Sequence, residues 1–257
     1  MNKKIFYEEH KNFSFRTLSE YFISPGIKCK FDLLKKYIVS KLFYDGIDLG
    51  ASGNSFLHFL DNVTRKTIFD IAKQPLTQYL NIFSKNKRIF FPVCGDIAHL
   101  PYRNNSFDFI SALDVLEHVK RDDLAIFEMN RILKTKGIAV VTVPHRMKYY
   151  TTQDRLIGHY RRYEIEQILY LFKKYKLRLI TTFGVYGKMM KIVAIQSKDP
   201  KKLENNLIKL RNRYESNNLF RSFWDVFVFF SSTLMKLDAK YRSLKKVMNI
   251  AFIFIKM

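Results

Sequence analysis

Between about residues 30 and 145 the chain alternates short apolar runs with helical stripes, and few folds accommodate that order. Leu34, Tyr37, Ile38 and Leu42 recur at helical spacing. The run YDGIDL then ends at a small-residue turn, Gly50-Ala51-Ser52-Gly53-Asn54, after which a helix is expected. Thr67-Ile68-Phe69 reads as a strand, and Leu76, Tyr79, Leu80 and Phe83 as a helical stripe. Ile89-Phe90-Phe91 and Phe107-Asp108-Phe109-Ile110 read as two more strands. Asp122 and Asp123 open a helix carrying Ala125, Met129, Ile132 and Leu133, and acids suit that end of the helix dipole. Gly137 is placed to stop it. Ile138 to Val143 is continuously apolar up to Pro144, as in a strand buried on both faces. Alternation of this kind predicts a parallel α/β sheet with helices on both faces. Ligands bind such sheets at the carboxyl ends of the strands.

The pattern changes further along. A helix carries Ile165, Ile168, Leu169 and Phe172, and Leu179 to Phe183 reads as a strand. Leu203, Leu207, Leu210 and Tyr214 mark one later helix. Phe223, Phe227, Phe230 and Leu234 mark a second, its apolar face widened by Trp224, Val226 and Phe229. The closing NIAFIFIKM reads as a buried strand. The expected organisation is an N-terminal helical cap over 1–43, a ligand-binding core over 44–187, a helical insertion or lid over 188–245, and a last core strand over 246–257. Pro25-Gly26 reads as a break within the cap.

Net charge is +22, from 45 Lys+Arg against 23 Asp+Glu. Such a surface attracts polyanions: nucleic acid, anionic lipid headgroups or phosphorylated substrates. A lysine-rich composition alone gives the same total, but between Lys173 and Arg213 only Asp199 and Glu204 oppose the bases. The two cysteines, Cys29 and Cys94, form no CxxC pair, so no metal site and a reduced, cytoplasmic setting are expected. The opening MNKKIFYEEHKNFSF has no apolar core of a signal peptide. No run reaches the roughly 18 apolar residues of a spanning helix.

The turn at 50–54 admits two chemistries. A nucleophile elbow, GxSxG, fits at Gly50 and Ser52, but position 54 is Asn. A nucleotide cradle needs small residues for close backbone approach and positive φ. Gly50, Ser52 and Gly53 supply the first, and Asn54 is the non-glycine residue expected to take the left-handed conformation. Asp70, which follows Asp48 by 22 positions at the end of the next strand, can accept both hydroxyls of a ribose. The same residue would also serve as a helix N-cap.

A third segment makes the pattern specific. IDLGASGN (47–54), FD (69–70), GDIAHLPYRNNSFDFISALDVLEHV (95–119), RILKTKGIAVVTVP (131–144) and GHYRRYEIEQILYLFKKYKL (158–177) together resemble a class I S-adenosylmethionine-dependent methyltransferase of the group that includes the ubiquinone-biosynthesis type. The resemblance covers most of residues 44–180. It implies a Rossmann-like, doubly wound, mostly parallel seven-stranded sheet with the helical insertion before the last strand. By the same resemblance Asp48, Gly50, Ser52 and Gly53 would flank the methionine part of S-adenosyl-L-methionine. Asp70 would hold the ribose, Asp96 would meet the adenine amino group, the Ile97 backbone would lie beside the ring, and Leu113 would pack near the cofactor. Ser52 and Asn54 depart from the usual glycines.

Methyl transfer from a sulfonium is a direct displacement, dominated by positioning and desolvation. A base is required only where the acceptor must lose a proton. His118, in LEHV, is the first candidate, ahead of His145 and His159. Arg161, Arg162 and Tyr163 of GHYRRY are candidates for the acceptor, because arginine pairs bidentately with phosphate or carboxylate. Similar GHxRRY stretches occur in methyltransferases associated with cell-surface glycans and lipid-linked sugars. The expected partner is a small-molecule, glycan or lipid-linked acceptor, with peripheral membrane contact through 188–245. The alternatives are an RNA methyltransferase, which the charge favours, and a non-catalytic cofactor-binding protein.

Overall fold

The structure is a computed structural model that describes residues 17–77, 79, 90–190 and 200–257. Leu80, Phe83 and Ile89 lie outside the described residues, as do residues 1–16 of the expected cap and 191–199 of the expected insertion.

The strands are β1 (Phe43–Leu49), β2 (Val63–Asp70), β3 (Phe90–Cys94), β4 (Phe107–Leu113), β5 (Leu133–Pro144), β6 (Leu177–Tyr186) and β7 (Asn249–Lys256). They form one sheet in the order β3-β2-β1-β4-β5-β7-β6. Every described pairing is parallel except those of β7, which runs antiparallel to both β5 and β6. The carboxyl ends of β1 to β5 therefore share an edge with the amino end of β7. The doubly wound sheet expected from the alternation is present.

The described helices are α1 (Glu20–Ile23), α2 (Pro25–Ile38), α3 (Asp122–Ile132), α4 (Thr152–Leu156), α5 (Ile165–Lys174), α6 (Pro200–Ser216) and α7 (Asn218–Tyr241), with a helical turn over 73–77. Two apolar layers flank the sheet. One gathers Ala125, Met129 and Ile132 of α3 with Ile168 and Phe172 of α5. The other gathers Ile27, Phe31 and Leu34 of α2 with Met235 of α7. Phe172 stacks on Phe254 of β7 with ring centroids 4.1 Å apart, so α5 is seated on the β7–β6 side of the sheet.

Three local expectations are corrected. Pro25-Gly26 does not break the cap: Pro25 is the first residue of α2, where its missing N–H is harmless, and Ser24 Oγ accepts from Ile27 N at 3.4 Å. No α-helix follows the 50–54 turn. Ser55 caps only a 3-10 turn, Phe56–Phe59, before β2 begins. Gly137 does not stop α3, which ends at Ile132. It lies inside β5, at a register shift where Phe107 faces Leu133 but Phe109 faces Ile138, and Lys136 just before it has φ 64°.

The expected helix over the Phe223–Leu234 stripe is α7, which turns Val228, Ser231, Ser232, Met235 and Ala239 toward the protein, and Trp224 Nε1 donates to Ile23 O at 3.0 Å. Its Phe stripe faces outward, with Phe223 67% and Phe230 62% exposed. The buried face of α7 thus carries mostly smaller residues, and the larger aromatic side chains lie on the far side.

Candidate functional site

The 50–54 turn sits at the carboxyl end of β1, where the strand order departs to β2 on one side and β4 on the other. In open α/β sheets this is the place for a ligand crevice. Gly50 has φ +68°, and a Cβ on it would lie 2.6 Å from Val115 Cγ2, so glycine is required twice over. The second left-handed residue is Ser52, at φ 49°. Asn54, the residue expected there, is not among those with positive φ. Instead its side chain is buried with Oδ1 unpartnered.

Asp48 holds this turn from beneath. Its Oδ2 accepts from Ser55 Oγ at 2.6 Å and Phe56 N at 2.9 Å, and its Oδ1 from Ser111 Oγ at 2.6 Å. Burial pushes its pKa up to about 6, against those hydrogen bonds. With its oxygens committed to the chain's own donors, Asp48 fixes the shape of the loop. Asp70 does the same from β2: Oδ2 accepts from Ser52 N at 2.8 Å and Oδ1 from Ala72 N at 2.9 Å. Burial raises its pKa as well. Each oxygen keeps a further lone pair, because a carboxylate accepts at about four sites. Asp96 stands after β3 with an exposed carboxylate, one oxygen of which accepts from Ala98 N. Ile97 beside it is buried, and Leu113 ends β4 half-buried.

Beyond β4 the chain turns through Asp114, with φ 58°. Its N–H donates to Thr142 O. Its carboxylate accepts from Thr142 Oγ1 at 2.9 Å, Asn249 Nδ2 at 2.7 Å and Lys30 Nζ at 2.7 Å, which joins α2, β4, β5 and β7. Burial works to raise its pKa, but Lys30 and the hydrogen bonds hold it at about 2. Three residues on is Glu117. It is fully buried and neither carboxylate oxygen has a hydrogen-bond partner. Burial, reinforced by Asp114, raises its pKa well above the ordinary glutamate value.

His118 and His159 meet beside Glu117, their rings edge to face with centroids 4.5 Å apart. His159 Nε2 lies 3.8 Å from Glu117 Oε1, and His159 Nδ1 lies 2.8 Å from Asp154 Oδ1. Asp154 closes the capping box of α4 and also receives Arg162, Nε on Oδ1 at 3.0 Å and the terminal nitrogen on Oδ2 at 2.9 Å. Burial notwithstanding, the bonds from His159 and Arg162 hold the Asp154 pKa below the usual carboxylate range.

The other residues of the expected acceptor and base sets are engaged elsewhere. His145 is buried, with Nδ1 2.8 Å from Tyr163 O, and burial lowers its pKa. Arg161 pairs with Asp122 at 2.8 Å, and Tyr163 OH donates to the same carboxylate at 2.8 Å. Glu117, Asp154, Lys30 and Asn249 were not candidates in the sequence. The adjacency of Glu117 to His118 was the one available signal. The others meet only in three dimensions.

The sheet order, with the crevice between the ends of β1 and β4, is Rossmann-like and is shared with solved methyltransferases. Residues 47–141 match the family model described as "Methyltransferase domain". An uncharacterized protein of Methanocaldococcus jannaschii is 34% identical over 115 residues, 44% of this chain and 46% of that one, so the match spans about half of the relative's length. Phosphoethanolamine N-methyltransferase 2 of Haemonchus contortus, solved with S-adenosyl-L-methionine, superposes with a TM-score of 0.64 at 18% identity, over 100% of this chain and 60% of that one. The N-methyltransferase NodS of Bradyrhizobium japonicum, solved with S-adenosyl-L-homocysteine, gives 0.58 at 17% identity over 76% and 93%. Residues 47–141 of this chain thus match a methyltransferase domain, on a fold shared with solved methyltransferases.

Proposed function

We propose that the protein is an S-adenosyl-L-methionine-dependent methyltransferase acting on a small-molecule, glycan or lipid-linked acceptor. The observation that carries this is the cradle at the end of β1 and β2: two left-handed residues, Gly50 and Ser52, with the loop amide of Ser52 tied to Asp70. These residues fit the cofactor. Gly50 leaves room where any Cβ would collide, the buried Asn54 Oδ1 lacks a donor, and Asp70 keeps lone pairs for ribose hydroxyls. Bound there, S-adenosyl-L-methionine supplies a methyl group on a cationic sulfur with its leaving group already in place.

What remains for the chain is orientation and the exclusion of water. Asp48, Asp70 and Asp114 fix three adjacent strand ends through buried hydrogen bonds. Their loops therefore need little reorganisation on binding. Asp154 accepts from His159 Nδ1, which keeps the proton on that nitrogen and leaves Nε2 as an acceptor facing Glu117. His159 Nε2 is thereby held toward Glu117, with Arg162 and Asp154 as positioning residues. His118, edge to face with it, borders the same space.

A second observation favours an acceptor at a membrane. The outward face of α7 carries Phe223, Val226, Phe227, Phe230 and Leu234, all at least 40% exposed and in helical register. Lys240, Lys245 and Lys246 are exposed at its end. An apolar stripe with flanking bases on a chain of charge +22 matches an anionic bilayer surface. No described helix is long and apolar enough to cross a membrane.

The test is transfer of labelled methyl from S-adenosyl-L-methionine into lipid extract, glycan precursors and RNA in parallel. Label in the lipid or glycan fraction supports the proposal, and label in RNA alone refutes the acceptor class. Sedimentation with anionic vesicles should be lost in the triple variant Phe223→Asp, Phe227→Asp, Phe230→Asp. Retained sedimentation would dismiss the α7 surface as the contact.

A further inference from the structure

We propose that Glu117, His118 and His159 form a binding site for one divalent first-row transition-metal ion. Each offers one ligand atom, and the three atoms lie within 4.8 Å of one another. Glu117 is 0% exposed with both carboxylate oxygens unpartnered. A buried carboxylate without donors is strongly disfavoured unless a cation or proton meets it, and here the groups beside it are two imidazoles.

The surroundings have the form of a metal site's outer shell. His159 gives its Nδ1 to Asp154 at 2.8 Å, which turns Nε2 toward Glu117 Oε1, 3.8 Å away. A histidine that ligates through one nitrogen typically binds a carboxylate through the other, and that carboxylate is itself held. Arg162 holds Asp154 with two hydrogen bonds, and Thr151 N and Oγ1 add two more at 2.7 and 2.8 Å. His159 is therefore fixed in ring orientation by a network that spends no ligand atom of its own.

Two imidazoles and one carboxylate favour a borderline divalent ion, such as Zn²⁺, Co²⁺ or Fe²⁺, over Mg²⁺ or Ca²⁺, which seek all-oxygen shells. Three protein ligands leave coordination positions open. If the methyltransferase proposal holds, an ion there would polarise an acceptor oxygen through those positions. Metal binding itself does not depend on that proposal. The expectation of no metal came from cysteine spacing, which carries no information about a Glu/His set assembled from two loops.

The experiment uses the full-length protein, stripped with chelator and titrated with Co²⁺ alone. Visible absorption reports imidazole and carboxylate ligation without any methyl transfer. Wild type should take up one Co²⁺ per chain, with a band in the visible and a rise in melting temperature. Glu117→Gln and His159→Ala should each weaken binding by about 100-fold or more, and Asp154→Asn by about 10- to 100-fold, as outer-shell partners do. His99→Ala, on an exposed histidine of the β3 loop, should bind as wild type does. Wild type that takes up no Co²⁺ overturns the proposal whatever the variants do, as does uptake unaffected in Glu117→Gln and His159→Ala. Should Glu117→Gln fail to fold by circular dichroism, His118→Asn on the half-buried ring carries the same comparison. Calorimetry with S-adenosyl-L-homocysteine, run alongside, separates failure of this site from failure of the cofactor proposal.

Discussion

Replacing Asp70 by alanine separates two jobs that one carboxylate performs. In the protein alone it accepts from Ser52 N and Ala72 N, tying the 50–54 turn to the end of β2. With cofactor bound, its remaining lone pairs would take the ribose hydroxyls. A hydrogen bond to a charged group contributes about 1.5–3 kcal/mol, so two ribose bonds amount to about 3–6 kcal/mol, or about two to four decades in Kd. The stability effect is smaller. The lost amide bonds are partly offset by relief of a carboxylate whose burial has raised its pKa, leaving a net loss of about 1–2 kcal/mol. Calorimetry with S-adenosyl-L-homocysteine reads the first number and thermal unfolding reads the second. Asp96→Ala is the comparison: its carboxylate is about half exposed and should matter by no more than about one decade. A folded Asp70→Ala protein that keeps its affinity to within about threefold would refute the ribose assignment.

Three further outcomes are expected. Asp48 is buried with a pKa of about 6, above the roughly 3.9 of an unfolded aspartate, so its contribution to stability is full below about pH 4 and is lost as pH rises through about 6. Asp48→Asn should flatten that window by about 2–3 kcal/mol, read by denaturant titration between pH 4 and 7; an unchanged slope would place the pH dependence elsewhere. Ser52→Gly removes a left-handed serine and should raise stability by about 0.5–1 kcal/mol after the extra chain entropy of glycine; a fall in melting temperature would show that the serine side chain outweighs its backbone. Lys30→Met leaves the Asp114 carboxylate without its cation and should cost about 2 kcal/mol at pH 7, shrinking as pH falls toward about 2; a loss independent of pH would point to packing.

The sheet was legible because its signals are local and repeated. Phe107 to Ile110 and Ile138 to Val143 could hardly be anything but central strands, and the closing NIAFIFIKM supplied β7. What misled was chemistry that two structures share. Gly137 stops helices, but it also sits in strand bulges, and the register shift of β5 on β4 decided between them. Pro25 breaks a helix from inside and opens one from its first position. On α7 the large aromatic residues dominate the sequence pattern, whereas the buried face carries a valine, two serines, one methionine and an alanine. In the site, Asp70 and the 50–54 turn announced themselves by spacing. Glu117 did not, because what distinguishes it is an absence of partners, and that is a property of the folded surroundings.

The antiparallel strand β7 has a consequence for how such a molecule can change. β6 and β7 are neighbours, paired from Leu177↔Lys256 to Tyr186↔Asn249, and Met248 N donates to Tyr186 O at 2.7 Å. Everything between Tyr186 and Met248, α6 and α7 included, is therefore the loop of a hairpin whose two stems are already zipped shut. Its length is free of the sheet's register. About sixty residues or a tight turn would meet the same register, so the outward aromatic face of α7 can vary while its inner face, with Met235 in the layer shared with α2, and the crevice at β1 and β4 stay as they are.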